Sequence, residues 1–245
     1  CMAVVTKQIL DKVYKENFDK DRFLSVDPCG VVYKLMEHTD NQLDIELGAL
    51  FVAMITWGSR KVICPTALRM LRDEMRWRPA HFIMSRQYLS SYTDAKNGCV
   101  YRTLNVDAFK DVCENIYHAI QGYGTLEALF DKKSSEQVIQ AICEWLRPAK
   151  VGSLNKSACK RVCMYLRWMT RDKSPDIGLW KSRSKKDLYA IMDVHVIRQT
   201  KGLISNSRPT WKACVELTTL FKEWDAEDPL KYDVALMTLA DMDND

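Results

Sequence analysis

Thirteen consecutive residues, Ile45-Glu-Leu-Gly-Ala-Leu-Phe-Val-Ala-Met-Ile-Thr-Trp57, are apolar around almost the whole circumference of a helix. Such a helix has no face to give to water, so other elements must enclose it. It is too short to span a bilayer. The rest of the chain supplies the cover. Residues 4–18 place Val5, Ile9, Leu10 and Val13 on one helical face, and 107–121 and 134–146 repeat that spacing. Asp27-Pro28-Cys29-Gly30 reads as a turn. A basic turn, Gly58-Ser59-Arg60-Lys61, leads into a helix ending near Met75. Alternating strand patterns are nearly absent, and 9 Gly and 7 Pro among 245 residues leave few breaks. The pattern predicts an all-α fold, long enough for two lobes.

The second half begins near Arg147-Pro148. A basic helix is expected over 156–171, with Ala158, Val162, Tyr165, Leu166 and Met169 as its apolar stripe. A polar stretch to Lys186 follows, holding Asp176-Ile-Gly-Leu-Trp180. The apolar Leu188–Met192 precedes Asp193, and Val194 to Thr200 comes next. Helices over 210–224 and 230–240 close the pattern. The sequence shows no internal repeat or low-complexity tract.

Net charge, at +4, says little about partners, but its distribution says more. Residues 150–201 hold 13 Lys/Arg against 4 Asp/Glu, a surplus of 9, so the rest of the chain is net acidic. A concentrated basic stretch is the footprint of a polyanion partner, and a solvated basic surface is the bland alternative. Nine cysteines at 1, 29, 64, 99, 113, 143, 159, 163 and 214 form no CxxC pair. They suggest reduced thiols, with neither a disulfide framework nor a zinc or iron–sulfur site. No signal peptide or membrane span is visible, so a cytoplasmic protein is expected, placed with the bacterial nucleoid if the polyanion is DNA.

Within the basic stretch lies Met192-Asp-Val-His-Val196, an acidic residue and a histidine among apolar neighbours. Upstream, Lys160 sits in Ser157-Ala-Cys-Lys-Arg-Val-Cys-Met-Tyr-Leu-Arg-Trp-Met169. Lysine and aspartate together suit the removal of a base from DNA. The base must leave the stack, an amine or activated water must attack C1′, and a carboxylate must stabilise the charge on the sugar. A lysine attacks best when desolvation or neighbouring cations free its lone pair. Asp193 also has the character of a helix N-cap. His195 reads as local support. It has no metal-ligand spacing around it, and neither metal nor cofactor is expected.

These residues resemble the helix-hairpin-helix DNA glycosylases. Met192-Asp-Val-His-Val196 is similar to their Val-Asp-Val/Thr-His segment, whose aspartate is catalytic. Lys160-Arg161 resembles the lysine that opens the helix after the family's hairpin. Phe51-Val-Ala-Met-Ile-Thr-Trp57 with Arg60 and Lys61 is similar to the helix ending in Ser-Gln-Gln. Tyr232-Asp-Val-Ala-Leu-Met237 looks like the late helix that walls the base pocket in the 8-oxoguanine branch. Leu166-Arg-Trp-Met169 with Asp228-Pro-Leu-Lys-Tyr-Asp233 is also similar to an uncharacterised bacterial family of this length. The likeness covers most of 45–240. The long interval from Lys160 to Asp193 looks closest to the archaeal 8-oxoguanine glycosylases. The four-cysteine motif of the endonuclease branch is missing, so no iron–sulfur cluster is implied.

The resemblance implies a two-lobed fold, with 46–147 as a helical barrel lobe and 1–45 plus 148–245 as the lobe carrying hairpin and aspartate. It implies a monomer that binds double-stranded DNA with a damaged base across the cleft. Lys160 would be the nucleophile, with Lys156 as the alternative one turn away, and Asp193 the catalytic carboxylate. Trp57, Asp233 and Met237 would form the base pocket. Arg60 and Lys61 would contact phosphate or fill the gap left by the base, or be a plain solvated turn. The family's hairpin reads Leu-Pro-Gly-Val-Gly, whereas Val151-Gly-Ser-Leu-Asn-Lys-Ser-Ala-Cys159 has one glycine. Phosphate contacts would then come from Ser153, Asn155, Lys156, Ser157 and Arg161. A bifunctional glycosylase and AP lyase acting on 8-oxoguanine in base excision repair is the leading expectation. A monofunctional glycosylase and a non-catalytic DNA-binding module are the alternatives.

Overall fold

Most helix starts in this protein are fixed by a side chain that accepts a backbone N–H of the first turn. Thr6, Asp19, Asn41, Asn105, Thr125, Ser134, Asp193 and Thr210 all do so. Ser134 and Gln137 complete a reciprocal capping box. The computed structural model describes residues 5–93, 98–205 and 208–242. In chain order its helices are α1 (Lys7–Lys12), α2 (Lys20–Val26), α3 (Cys29–Met36), α4 (Gln42–Met54), α5 (Arg60–Arg69), α6 (Pro79–Met84) and α7 (Val106–Ala119). Then come α8 (Leu126–Phe130), α9 (Ser135–Trp145), α10 (Lys160–Thr170), α11 (Val194–Gln199), α12 (Trp211–Trp224) and α13 (Lys231–Met242). One antiparallel hairpin, β1 (Cys99–Tyr101) and β2 (Leu104–Asn105), interrupts the helices. Among the described residues the fold is all-α apart from that hairpin.

Two compact units divide the chain, Leu24–Val151 and the pair of segments Cys1–Phe23 with Gly152–Asp245. The first boundary falls well before the 45/46 position read from sequence, because α3 packs on α4 and belongs with it. α4 is the centre of the Leu24–Val151 unit, and every residue from Asp44 to Met54 is buried. Two acids on it are inside because backbone donors meet them. Asp44 accepts the Ala80 N–H at 2.7 Å, and Glu46 accepts the N–H groups of Leu126 at 2.6 Å and Glu127 at 3.0 Å. α4 ends at Met54, so Trp57 lies beyond the helix rather than at its last residue. Arg60 and Lys61 are the first two residues of α5, not a turn before it.

In the other unit α13 packs against α1, α11 and a wider π-helical turn over Val13–Asn17, where a continuous first helix was expected. The polar stretch after α10 folds back on that helix. Ile177 and Gly178 donate to the Trp168 carbonyl, and Trp180 donates to that of Met169. Trp168 and Trp180 are fully buried. α10 begins at Lys160 rather than 156, because Lys156 and Ser157 both turn back to the Ser153 carbonyl and Cys159 adopts φ of 49°. None of the helices is long and apolar enough to cross a membrane, among the described residues.

Candidate functional site

Asp193 and Lys160 come together. Asp193 caps α11, and its Oδ1 accepts the N–H groups of His195 at 2.8 Å and Val196 at 2.9 Å. Its other oxygen, Oδ2, is 3.6 Å from Nζ of Lys160, the first residue of α10. One carboxylate thus fixes a helix start with one oxygen and faces an amine with the other. The side chains are 10% and 35% exposed respectively, so the pair is reachable from solvent yet held. Val194, between the cap and His195, is 68% exposed. His195 is half-buried, and its backbone N–H serves the cap.

Asp233 supports this arrangement from behind. It is buried on α13, and both its oxygens face the Ile191 N–H at 3.2 and 3.3 Å, two residues before the capping aspartate. The Asp193 N–H in turn reaches the Ile191 carbonyl at 3.0 Å. Burial pushes the Asp233 carboxyl up to about 7; Arg167 and the Ile191 N–H oppose the rise, and Asp193 and Asp176 add to it. The base-pocket assignment of Asp233 therefore falls on a group occupied with backbone support. Met237 lies one turn further along α13, on the same face, and is half-buried.

Arg167, Asp176, Arg171 and Asp228 form a buried ionic network in the same unit. Arg167 Nε is 3.0 Å from Asp176, and Arg171 bridges Asp176 at 3.0 Å and both oxygens of Asp228 at 2.8 Å. Arg171 also donates to the Tyr14 hydroxyl and to the carbonyls of Lys173 and Ser174. The network changes the meaning of the basic stretch. Arg167 and Arg171 are inside, and Lys185 and Lys186 pair with Asp172 and Glu227 at 2.6 Å. Four of its cations are thus spent on the fold or on acids, and the polyanion footprint is smaller than the composition suggests. Sequence reading missed this network because its partners come from separate segments, Asp228 lying 57 residues and Tyr14 157 residues from Arg171. Its two ends, Arg167 and Asp228, lie in the strings that resemble an uncharacterised bacterial family.

Of the expected phosphate contacts, Asn155 and Lys156 are exposed and Ser153, Ser157 and Arg161 half-buried. Gly152, at φ of +106°, lies so close to the Ser157 hydroxyl that a Cβ there would sit 2.3 Å from it. The single glycine of this turn is therefore required by a close approach and a left-handed backbone. Ser157 Oγ itself receives the Cys159 N–H and donates to Ser153, so it closes the turn. Lys156 lies in the turn, off the helix, which leaves Lys160 as the lysine facing Asp193.

Trp57, Arg60 and Lys61 belong to the Leu24–Val151 unit, where Trp57 packs against the β1–β2 hairpin and Arg60 and Lys61 open α5 three and four residues later. The Tyr101 hydroxyl donates to the Trp57 carbonyl at 2.6 Å, and the two rings meet edge to face at 4.7 Å. Among the described residues no three of His, Cys, Asp and Glu gather as a metal-ligand set, and the described cysteines are thiols. No curated protein and no solved structure matches the chain. Residues 27–241 match DUF2400, a family of proteins of unknown function, and the chain belongs to that family.

Proposed function

We propose that this chain is a DNA glycosylase with AP-lyase activity, acting on an oxidised purine such as 8-oxoguanine. The observation that carries the reading is the 3.6 Å approach of Lys160 Nζ to Asp193 Oδ2, with Asp193 locked as the cap of α11. The Lys160 lone pair forms a bond to the sugar C1′ as the bond from C1′ to the base breaks. The electron pair leaves with the base, which takes up a proton. Asp193 holds the positive charge that develops on the sugar and accepts a proton from the lysine nitrogen. Opening of the sugar ring gives a protonated imine; loss of its C2′ proton to water then forms the C2′–C3′ double bond and expels the 3′-phosphate. The exposed Val194 and the exposed Asn155 and Lys156 suit a surface that receives DNA.

A non-catalytic DNA-binding member of the same fold is the second reading. It is favoured by the hairpin, whose one glycine is committed to Ser157 and whose lysine is already ion-paired. Incubation with duplexes carrying 8-oxoguanine separates the readings. Release of free base with strand scission supports the lyase, and release without scission assigns attack to water activated by Asp193. Salt-sensitive binding with no release from any lesion supports the binding module.

A further inference from the structure

Arg102 occupies a position that a hairpin does not ordinarily give to arginine. It is the first residue of the two-residue loop between Tyr101 and Leu104, and its φ is +51°. Glycine and asparagine adopt that conformation at lower cost. Its guanidinium lies against the bare Cα of Gly58, itself at φ of +101°; a Cβ there would be 2.4 Å from the Arg102 terminal nitrogen and 3.4 Å from the Tyr101 hydroxyl. The Tyr101–Trp57 hydrogen bond ties the hairpin to the chain just before α5. Arg102 is therefore held, although exposed.

Neither Arg102 nor the exposed Lys61 has a carboxylate partner among the described residues. A planar, fixed guanidinium without a counter-ion matches a phosphate, to which it can donate in parallel. The half-buried Trp57 indole beside it offers a surface on which a base of any identity can stack. Gly58, Ser59, Lys61, Arg102 and Thr103 are all exposed, so the cluster is open and suits a polymer laid across it. Local strain at an exposed, charged residue is consistent with a functional constraint on it.

We infer that Trp57, Lys61 and Arg102 form a nucleic-acid contact in the Leu24–Val151 unit, with Arg102 on a backbone phosphate and Trp57 stacked on a base. The inference rests on the DNA-directed reading above and adds to it a residue in the other unit. Arg102→Asn tests it in the full chain, because asparagine suits the left-handed backbone and should leave thermal stability unchanged or raised. With a fluorescein-labelled duplex and the corresponding single strand, anisotropy titrations across a salt series should show binding weakened roughly tenfold. The slope of log affinity against log salt should fall by about one. Gly58→Ala, which keeps every cation but displaces the guanidinium, should weaken binding in the same direction. Arg102→Asn binding both oligonucleotides as wild type does, with an unchanged salt slope, overturns the inference, as does absence of wild-type binding at low salt. Base release and strand scission are read separately. Weakened binding without any release sustains this contact while the glycosylase reading fails, and release with unaltered binding by Arg102→Asn does the reverse.

Discussion

Asp193 serves Lys160 and the start of α11 at once, with Oδ2 at 3.6 Å from the Lys160 amine and Oδ1 on the N–H groups of His195 and Val196. The two duties can be separated by substitution. Asparagine caps a helix about as well as aspartate, so Asp193→Asn should unfold within about 0.5 kcal/mol of wild type, whereas Asp193→Ala should lose about 1 kcal/mol. Both remove the negative charge, and each should lower base release by roughly a hundredfold or more. Urea unfolding beside single-turnover release checks the pair. Equal stability of the two variants would remove the capping role, and full activity of Asp193→Asn would remove the catalytic one.

Asp233 gives a pH dependence of stability with a defined sign. Burial raises its carboxyl to about 7, so the folded state keeps a proton that the unfolded chain releases near the ordinary carboxylate value. Its contribution is complete below that ordinary value and is lost as pH rises through about 7, amounting to a few kcal/mol. Asp233→Asn keeps an acceptor for the Ile191 N–H but cannot ionise. Relative to wild type it should gain stability between pH 4.5 and pH 8. Urea midpoints at these two pH values test this, and a wild-type difference independent of pH would contradict it.

Arg171 holds two acids at once, Asp176 and Asp228, and is itself fully buried. Arg171→Met would leave the buried Asp176 and the half-buried Asp228 without this partner. The expected cost is roughly 3–5 kcal/mol, well above that of removing an exposed pair such as Lys186–Glu227. Denaturant unfolding of Arg171→Met and Lys186→Met gives the comparison, and similar small losses in both would contradict the ranking.

Much of this arrangement can be read in the sequence, and what cannot has a physical cause. The all-round apolar character of α4 specified burial, and Asn105, Ser134, Thr210 and Asp193 stand where caps belong before amphipathic runs. Asp193 and Lys160 were visible as residue types at helix starts, although α10 begins four residues later than periodicity indicates, at the left-handed Cys159. The β1–β2 hairpin was not visible, since strands of three and two residues are too short to show alternation. Arg167 and Arg171 counted as surface charge in the sequence and are interior in the fold, because their partners Asp176 and Asp228 arrive from other segments. The seat of Arg102 on Gly58 depends on two left-handed residues 44 positions apart, a relation that no local pattern carries.

Borohydride reduction during incubation with an 8-oxoguanine duplex tests the proposed chemistry most directly, since it converts the imine between enzyme and sugar into a stable amine. Wild type and Lys156→Ala should give a covalent protein–DNA adduct, and Lys160→Ala should give none. No adduct with wild type under conditions where the duplex is bound, or an adduct that survives Lys160→Ala, would contradict attack by Lys160.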